Sequence, residues 1–368
     1  MKKIIFGITS LSIGGAEKVL TDLINEIKDE YEITVFTLYG KGELEKFLPS
    51  NVTLKSLYKN SYSEMSKLKR IMISIKLLLF KKSIYKKYID KGYDTEIAFL
   101  EGPITALWGV KAKKNAKKIA WVHTDISKIF GNTIKARIKK VLNDANYQKY
   151  NKIVFVSKGI MGEFKKLYPK SDGNKLIVIN NYINKNNVIK KSEENIEINF
   201  DQESINFVTV ARLVEAKALD RLIKIHSKLI HEGYKHNIYV IGDGPLNKQL
   251  QEQIEHESVN KSFKLLGAKI NPYPYMKKAD YFCLLSYYEG YGMVLEEAKI
   301  LNKTIIISNN DSKEAIENYR NKIILDNNEE AIYEGLKEIL NNSENYKKRI
   351  EEQEYDNSNL IEKVKEII

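Results

Sequence analysis

The sequence has one cysteine, Cys283, and six prolines in 368 residues. A lone thiol cannot close an internal disulfide, so packing must hold the fold, and a reducing compartment suits it. With few prolines and 43% hydrophobic residues, the composition of an extensively disordered chain is excluded. No apolar run reaches the ~20 residues that cross a bilayer. The longest one beyond the N-terminus, residues 71–80, is interrupted by Lys76. No D-x-D triplet occurs, and the histidines and the cysteine do not cluster at ligand spacing, so metal-independent chemistry is expected, with no cofactor. The full G-x-G-x-x-G spacing is also missing, so the glycines near the N-terminus are not a dinucleotide fingerprint.

Charge is present in quantity but unevenly. Residues 1–185 carry 35 Lys/Arg against 17 Asp/Glu, whereas residues 186–368 carry 25 against 31. Basicity confined to one half points to an anionic partner of that half rather than to solubility. The first residues, MKKIIFGITSLSIGG, have the lysines and short apolar run of a signal peptide. They read better as a first strand, because GAEKVLTDLI follows with helical spacing.

The length suits two domains of about 150 residues each. Strand patterns at 2–9, 32–38, 52–57, 95–100, 118–123, 152–156 and 175–179 are interleaved with helix patterns at 16–30, 66–91 and 134–150. A polar, asparagine-rich stretch then supplies a linker at 184–204. Strands resume at 205–211, 237–241, 263–266, 281–285 and 304–307, again alternating with helices, and the last helix covers 358–368. The fold class is therefore α/β: two doubly wound parallel sheets, with ligands expected at the carboxyl ends of the strands.

One stretch organises the rest: residues 286–301, SYYEGYGMVLEEAKIL, after the apolar run 281–285. Gly290 and Gly292 allow close backbone approach to a ligand. The amides of Tyr291, Gly292, Met293 and Val294 lead into a helix whose positive end attracts phosphate. Glu289 and Glu297 bracket the turn, an arrangement suited to a phosphorylated ligand with hydroxyls. Two acids also suggest a glycosidase, but a phosphate-binding turn between them favours a nucleotide site.

EGYGMVLEE at 289–297, ARLVEAK at 211–217, GDGPL at 242–246, NPYPYMKKAD at 271–280 and GGAEKVL at 14–20 together resemble the retaining glycosyltransferases of family four, which have the GT-B fold. The resemblance covers most of residues 1–318 and is strongest in the C-terminal half. It implies an acceptor-binding, membrane-facing domain at 1–183 and a nucleotide-sugar-binding domain at 205–354, with a helix at 355–368 that can return to the first domain. It further implies that Arg212 and Lys217 hold a diphosphate, that Glu297 accepts hydrogen bonds from ribose hydroxyls, and that Glu289 lies near the transferred sugar. His123, after the strand IAWVH, matches the family histidine that contacts the donor sugar. Gly14 and Gly15 let the first loop approach the diphosphate or the acceptor. Asp125 reads either as orienting His123 or as part of the acceptor site. Two departures stand out. Ala218 occupies a place where the family commonly has glycine, and Glu296 one where relatives carry an apolar residue; Glu296 is expected to face solvent. Gly242 and Gly244 are read as turn formers.

The implied reaction moves a sugar from a nucleotide diphosphate, UDP foremost, to a lipid-linked glycan in bacterial surface-polysaccharide synthesis, with retention by same-face attack. The expected location is cytoplasmic and peripheral on the membrane. The basic segment 66–91, with nine Lys/Arg and one acid, either lies on an anionic bilayer through Ile71, Met72, Ile75, Leu78 and Leu79 or packs those residues on the sheet. Basic tracts at 111–118 and 135–140 belong to the same half. Alternatives are a sugar-nucleotide epimerase or phosphorylase of the same fold, or a nucleic-acid-binding protein. No RNA or DNA module is recognisable, so a nucleic-acid partner is not expected.

Overall fold

The computed structural model describes residues 1–110, 116–126, 134–344 and 352–368, with the backbone alone for 134–139. They form two compact units: Met1–Ile183 with Asn357–Ile368, and Asn184–Asp356.

The first unit is built on β1 (Lys2–Ile8), β2 (Tyr31–Tyr39), β3 (Thr53–Tyr58), β4 (Thr95–Ala98), β5 (Lys117–Val122), β6 (Lys152–Phe155) and β7 (Leu176–Val178). The order across the sheet is β3-β2-β1-β4-β5-β6-β7, and every pair is parallel. Runs such as IIFGI and IAWV are apolar at successive positions because both sheet faces are covered. Helix α1 (Gly15–Ile27) follows β1 and buries Val19, Leu20, Leu23, Ile24 and Ile27, the single apolar stripe its spacing predicts. The remaining helices are α2 (Lys67–Tyr88), α3 (Pro103–Trp108), α4 (Ile134–Tyr147) and α5 (Lys158–Leu167). The crossover from β3 to β4, which pairs with the far side of β1, makes the sheet doubly wound, so the carboxyl ends of β1, β4 and β5 lie together.

Helix α2 has two apolar faces. Ile73 and Ile84 are buried and Leu77 half-buried on one. On the other, Leu68, Ile71, Met72, Ile75, Leu78 and Leu79 are between 51% and 75% exposed. The second stripe recurs at helical spacing on the side turned away from the packed one. Of the two readings of these residues, packing against the sheet is not what occurs. The anchor is instead near the end of the helix, where Tyr85 donates to the Glu96 carboxylate at 2.6 and 2.8 Å and Lys118 pairs with it at 3.3 Å. Phe80 departs from helical geometry (φ −109°, ψ 16°) and separates the anchored end from the exposed stretch.

The second unit starts earlier than its polarity suggests. Residues 184–204, read as a linker, contain α6 (Lys185–Ser192), capped by the Asn184 side chain, which accepts from the Asn187 amide at 2.8 Å. Val188 is buried in this unit, Asn271 donates to the Lys191 carbonyl at 2.8 Å, and Lys277 pairs with Glu193. Caps and ion pairs account for the polar composition. The sheet has six parallel strands in the order β10-β9-β8-β11-β12-β13. They are β8 (Ile205–Val210), β9 (His236–Ile241), β10 (Phe263–Leu265), β11 (Tyr281–Leu284), β12 (Thr304–Ser308) and β13 (Lys322–Leu325). Helices α7 (Leu219–His231), α8 (Asn247–His256), α9 (Tyr273–Lys278), α10 (Met293–Ile300) and α11 (Glu329–Asn341) complete it. The final helix, α12 (Ser358–Ile367), belongs to the first unit. There Lys365 pairs with Glu30 at 2.6 Å and Asn357 donates to the Ile183 carbonyl at 2.8 Å.

Candidate active site

In the second unit the site is assembled at the carboxyl ends of β8 and β11. Strand β11 is buried throughout, and beyond it the backbone of Ser286 and Tyr287 is held by neighbours on both sides. The Ser286 carbonyl accepts from Ser308 Oγ at 2.5 Å and Asn310 Nδ2 at 3.1 Å. The Tyr287 amide donates to the Ala216 carbonyl at 2.9 Å, and Asn327 donates to the Tyr287 carbonyl at 2.7 Å. Arg221, buried on α7, donates to the Leu285 carbonyl at 2.7 Å and to Asn327 at 3.0 Å, with its guanidinium 4.5 Å from the centre of the Tyr287 ring. The strand end is thus fixed before the turn begins.

The turn ends at Gly292, the N-cap of α10, in the left-handed region at φ 71°. Glycine takes that conformation without steric cost and offers no side chain to cap the helix. Met293 and Val294 are the first helical residues.

Lys217, in the turn Glu215–Lys217 that precedes α7, forms a hydrogen-bonded ion pair with Glu289. Both side chains are under one-fifth exposed. Arg212 lies exposed just past β8 in the same loop. Glu297 is 6% exposed and accepts from the Tyr273 hydroxyl at 2.9 Å. The structure therefore brings Lys217 to Glu289 and gives Glu297 a donor from α9. Glu296 corrects an expectation. It is 4% exposed, accepting from the Tyr291 hydroxyl at 2.6 Å and pairing with Lys299 at 2.8 Å. Burial and this carboxylate together hold the Tyr291 phenol far above its usual range.

Two neighbouring details show how closely the loops approach. Gly242 adopts φ 151°, and a Cβ there would collide with the Ala211 carbonyl, beside Arg212. A Cβ on Gly244 would likewise meet the Leu213 backbone, so these glycines do more than turn the chain. The Leu213 amide donates to the Asp243 carbonyl at 3.1 Å, fixing the Arg212 loop to the GDGP turn. Ala218 takes φ 51° and ψ 35° at the start of α7, the left-handed conformation for which a glycine is better suited.

His123, Gly14 and Gly15 belong to the first unit. Gly14 is the N-cap of α1 in an extended conformation, and Gly15 is its first residue. His123 follows β5 with its ring 4.9 Å from that of Phe99. Its Nε2 is buried and has no hydrogen-bond partner among the described residues, and burial pushes the imidazole pKa down to about 3, so the ring is neutral. The Glu101 carboxylate accepts from the His123 amide at 3.2 Å and from the Thr124 hydroxyl, pinning this strand end. Burial raises the pKa of Glu101, and that of Glu17 on α1, where Glu101 adds a smaller effect.

Sequence reasoning missed Tyr273, Glu101, Arg221 and the Tyr291–Glu296 pair. Tyr273 lies inside the NPYPYMKKAD segment, and that segment was the signal available for it. Nothing in the local pattern marks Arg221, whose partners are 64 and 106 residues away. Of the basic tracts, residues 111–115 and the side chains of 135–139 fall outside the described residues.

Residues 190–356 match the family described as glycosyl transferases group 1. Over 92% of its length, the chain is 25% identical to N-acetylgalactosamine-N,N'-diacetylbacillosaminyl-diphospho-undecaprenol 4-alpha-N-acetylgalactosaminyltransferase of Campylobacter jejuni, covering 90% of that protein. It is 26% identical to the capsular polysaccharide biosynthesis glycosyltransferase CapH of Staphylococcus aureus, over 87% of this chain and 84% of that one. Among solved structures it is similar to Anabaena HepE in complex with UDP and glucose, with a TM-score of 0.73 at 16% identity, covering 100% of this chain and 99% of that one. Residues 190–356 thus match the glycosyl transferases group 1, and the chain as a whole is a glycosyltransferase of the two-domain GT-B fold.

Proposed function

We propose that the protein transfers a sugar from a uridine diphosphate sugar, with retention and without a metal ion, to a lipid-linked glycan during surface-polysaccharide synthesis. The observation that carries this reading is the Lys217–Glu289 pair at the entrance to α10. As the glycosidic bond breaks, the leaving diphosphate gains negative charge, and a cation already in place stabilises the transition state more than the ground state. In the donor complex Lys217 turns from Glu289 to the diphosphate, Arg212 adds a second cation from the same loop, and the amides of Met293 and Val294 complete the anion site. Glu297 takes the ribose hydroxyls, and Glu289, freed of its partner, faces the sugar. The leaving phosphate assists attack on the same face. Solved structures of similar fold hold UDP, which supports that nucleotide. Relatives whose names include a diphospho-undecaprenol glycan support the acceptor class.

The membrane part of the proposal rests on α2. No described helix is long and apolar enough to cross a bilayer, but one face of α2 presents six exposed apolar residues flanked by Lys67, Lys69 and Lys76. Such a face suits the headgroup boundary of an anionic membrane, which supports a peripheral position of the enzyme, on the cytoplasmic side in this reading.

A thermal-shift panel of UDP, GDP, ADP and their sugar conjugates tests the donor assignment. A ligand at 100 times its Kd stabilises the fold by about 2.7 kcal/mol. UDP and one or more UDP-sugars are expected to shift the melt, and Glu297→Ala to abolish the shift. Stabilisation by GDP or ADP compounds alone refutes the assignment. Donor turnover without any acceptor favours an epimerase, and dependence on inorganic phosphate a phosphorylase.

A further inference from the structure

The start of α10 is held by a side-chain pair with no part in the proposed transfer. With Gly292 as N-cap, Tyr291 stands just before the cap and Glu296 is the fourth residue of the helix. In many helices an apolar pair at these two positions packs together and sets the angle at which the chain enters. Here a hydrogen bond of 2.6 Å joins the Tyr291 hydroxyl to Glu296 Oε1, with the residues 7% and 4% exposed. The other carboxylate oxygen takes Lys299 Nζ at 2.8 Å. Lys299 in turn donates to the Ala315 carbonyl at 2.9 Å and lies 5.4 Å from the centre of the Tyr355 ring. The connection therefore runs from the turn, through α10, to the segment Asp311–Ile316.

We infer that Tyr291, Glu296 and Lys299 are positioning residues, a polar form of the helix-entry staple that fixes Glu289 and the leading amides of α10 in their donor-binding arrangement. The inference rests on the donor reading of that turn. Residues 290–292 include two glycines, which lose more conformational freedom on ordering than any other residue. If the turn were loose in the free protein, the donor would have to order it on binding, and affinity would fall accordingly. The staple does that ordering when the protein folds. Its polar character makes it an all-or-none device, because a buried carboxylate and a buried phenol each need the other. Replacing both with apolar groups restores the ordinary staple, whereas replacing one leaves a buried polar atom unmatched.

Four variants of the full chain test this: Tyr291→Phe, Glu296→Leu, Glu296→Gln and the double Tyr291→Phe/Glu296→Leu. The first readout needs no ligand. Amide hydrogen exchange over residues 286–296 is expected to quicken on the order of tenfold in Tyr291→Phe and Glu296→Leu, the factor carried by loss of one hydrogen bond to a charged group. Exchange in β8 and β9 stays unchanged. Glu296→Gln, which keeps an acceptor for the phenol, and the double variant both return toward the wild-type rate. The second readout is UDP affinity by calorimetry, expected to be weaker by a similar factor in the two single variants and tighter in the double variant than in either. Unchanged exchange in the singles overturns the inference, as does a double variant as fast as the two effects combined or a rise spread evenly over the unit. If either single fails to fold, Glu296→Gln and the double variant still decide by these criteria. Failure of the wild type to bind UDP refutes the donor reading alone, and the exchange measurement still judges the staple.

Discussion

Acid should separate the two units, and the reason lies in where the histidines are. In the second unit His226 Nδ1 and His236 Nε2 are 2.8 Å apart, and His226 Nε2 is 2.8 Å from Ser262 Oγ, all in the core between α7 and β9. Burial pushes His236 down to about 4, and His226 lower still, with His236 adding to the effect of burial. Both rings are neutral in the folded state, while the unfolded chain takes up their protons below about pH 6.5. Folded pKa values below the unfolded ones place the full contribution above pH 6.5, and it is lost as pH falls toward 4. Each ring held neutral loses about 2 kcal/mol between pH 7.5 and 5.0, so the pair removes about 4 kcal/mol, a large share of a domain's stability. In the first unit His123 acts in the same direction. Glu17, Glu96 and Glu101 act oppositely, because their raised pKa values mean that the folded state holds protons the unfolded chain releases. Both tryptophans, Trp108 and Trp121, lie in the first unit. Urea unfolding followed by tryptophan fluorescence therefore reports that unit, and hydrogen exchange of α7 and β9 reports the other. The second unit is expected to lose stability more steeply with acid, and His236→Gln to reduce its slope by roughly half. A loss below about 1 kcal/mol over that interval, or an unaltered slope in the variant, refutes the reasoning.

Three further outcomes follow from the geometry. Ala218→Gly relieves a left-handed alanine that costs roughly 1–2 kcal/mol but adds unfolded-chain entropy worth about 0.4–1 kcal/mol. A net gain of roughly 0.5–1 kcal/mol is expected in urea unfolding, and a loss contradicts it. Gly242→Ala forces a Cβ into the Ala211 carbonyl at φ 151°, so a destabilisation of at least ~2–3 kcal/mol is expected, with weakened nucleotide binding because the adjacent Arg212 loop moves. Replacing Ile71, Ile75 and Leu79 together with serine should change stability by roughly 0.5 kcal/mol or less per site, since all three are exposed. It should nonetheless reduce sedimentation with anionic vesicles by on the order of a hundredfold, as each side chain contributes about 1.5–3 kcal/mol on burial and the helix immerses only partly. Vesicle binding equal to that of the wild type excludes α2 as the contact.

The doubly wound sheets were legible because buried parallel strands leave short apolar runs between helix-period stretches, and that alternation survives in a single sequence. What escaped had less to bury. Strand β13, KIIL, is an edge strand with Ile324 40% exposed, and α3 has six residues, too few for a period to show. Helix α6 was hidden by its caps and ion pairs, since polarity reads as a linker until the partners in α9 are in view. At the site, Glu289 and Glu297 stand out in the sequence because they bracket a glycine turn, and Lys217 by its place in ARLVEAK, five residues after Arg212. Glu296 was misread because an exposed and a buried glutamate look alike in sequence. Its burial depends on Tyr291 and Lys299 arriving at its two oxygens, a matter of side-chain direction rather than of pattern. The two faces of α2 show the same limit: apolar spacing locates a stripe but does not say which stripe the sheet takes.

The most direct test of the central claim is a transfer assay with radiolabelled UDP-sugars and lipid-linked glycans extracted from bacterial membranes, following label into the organic phase with no added metal and with a chelator present. The wild-type protein is expected to transfer one UDP-sugar, and Lys217→Ala and Glu289→Ala to lower the rate by on the order of a hundredfold or more, the scale seen when one preorganised charge-stabilising group is removed. Full transfer by either variant, or none from any UDP-sugar under conditions where the protein is folded, would contradict the account.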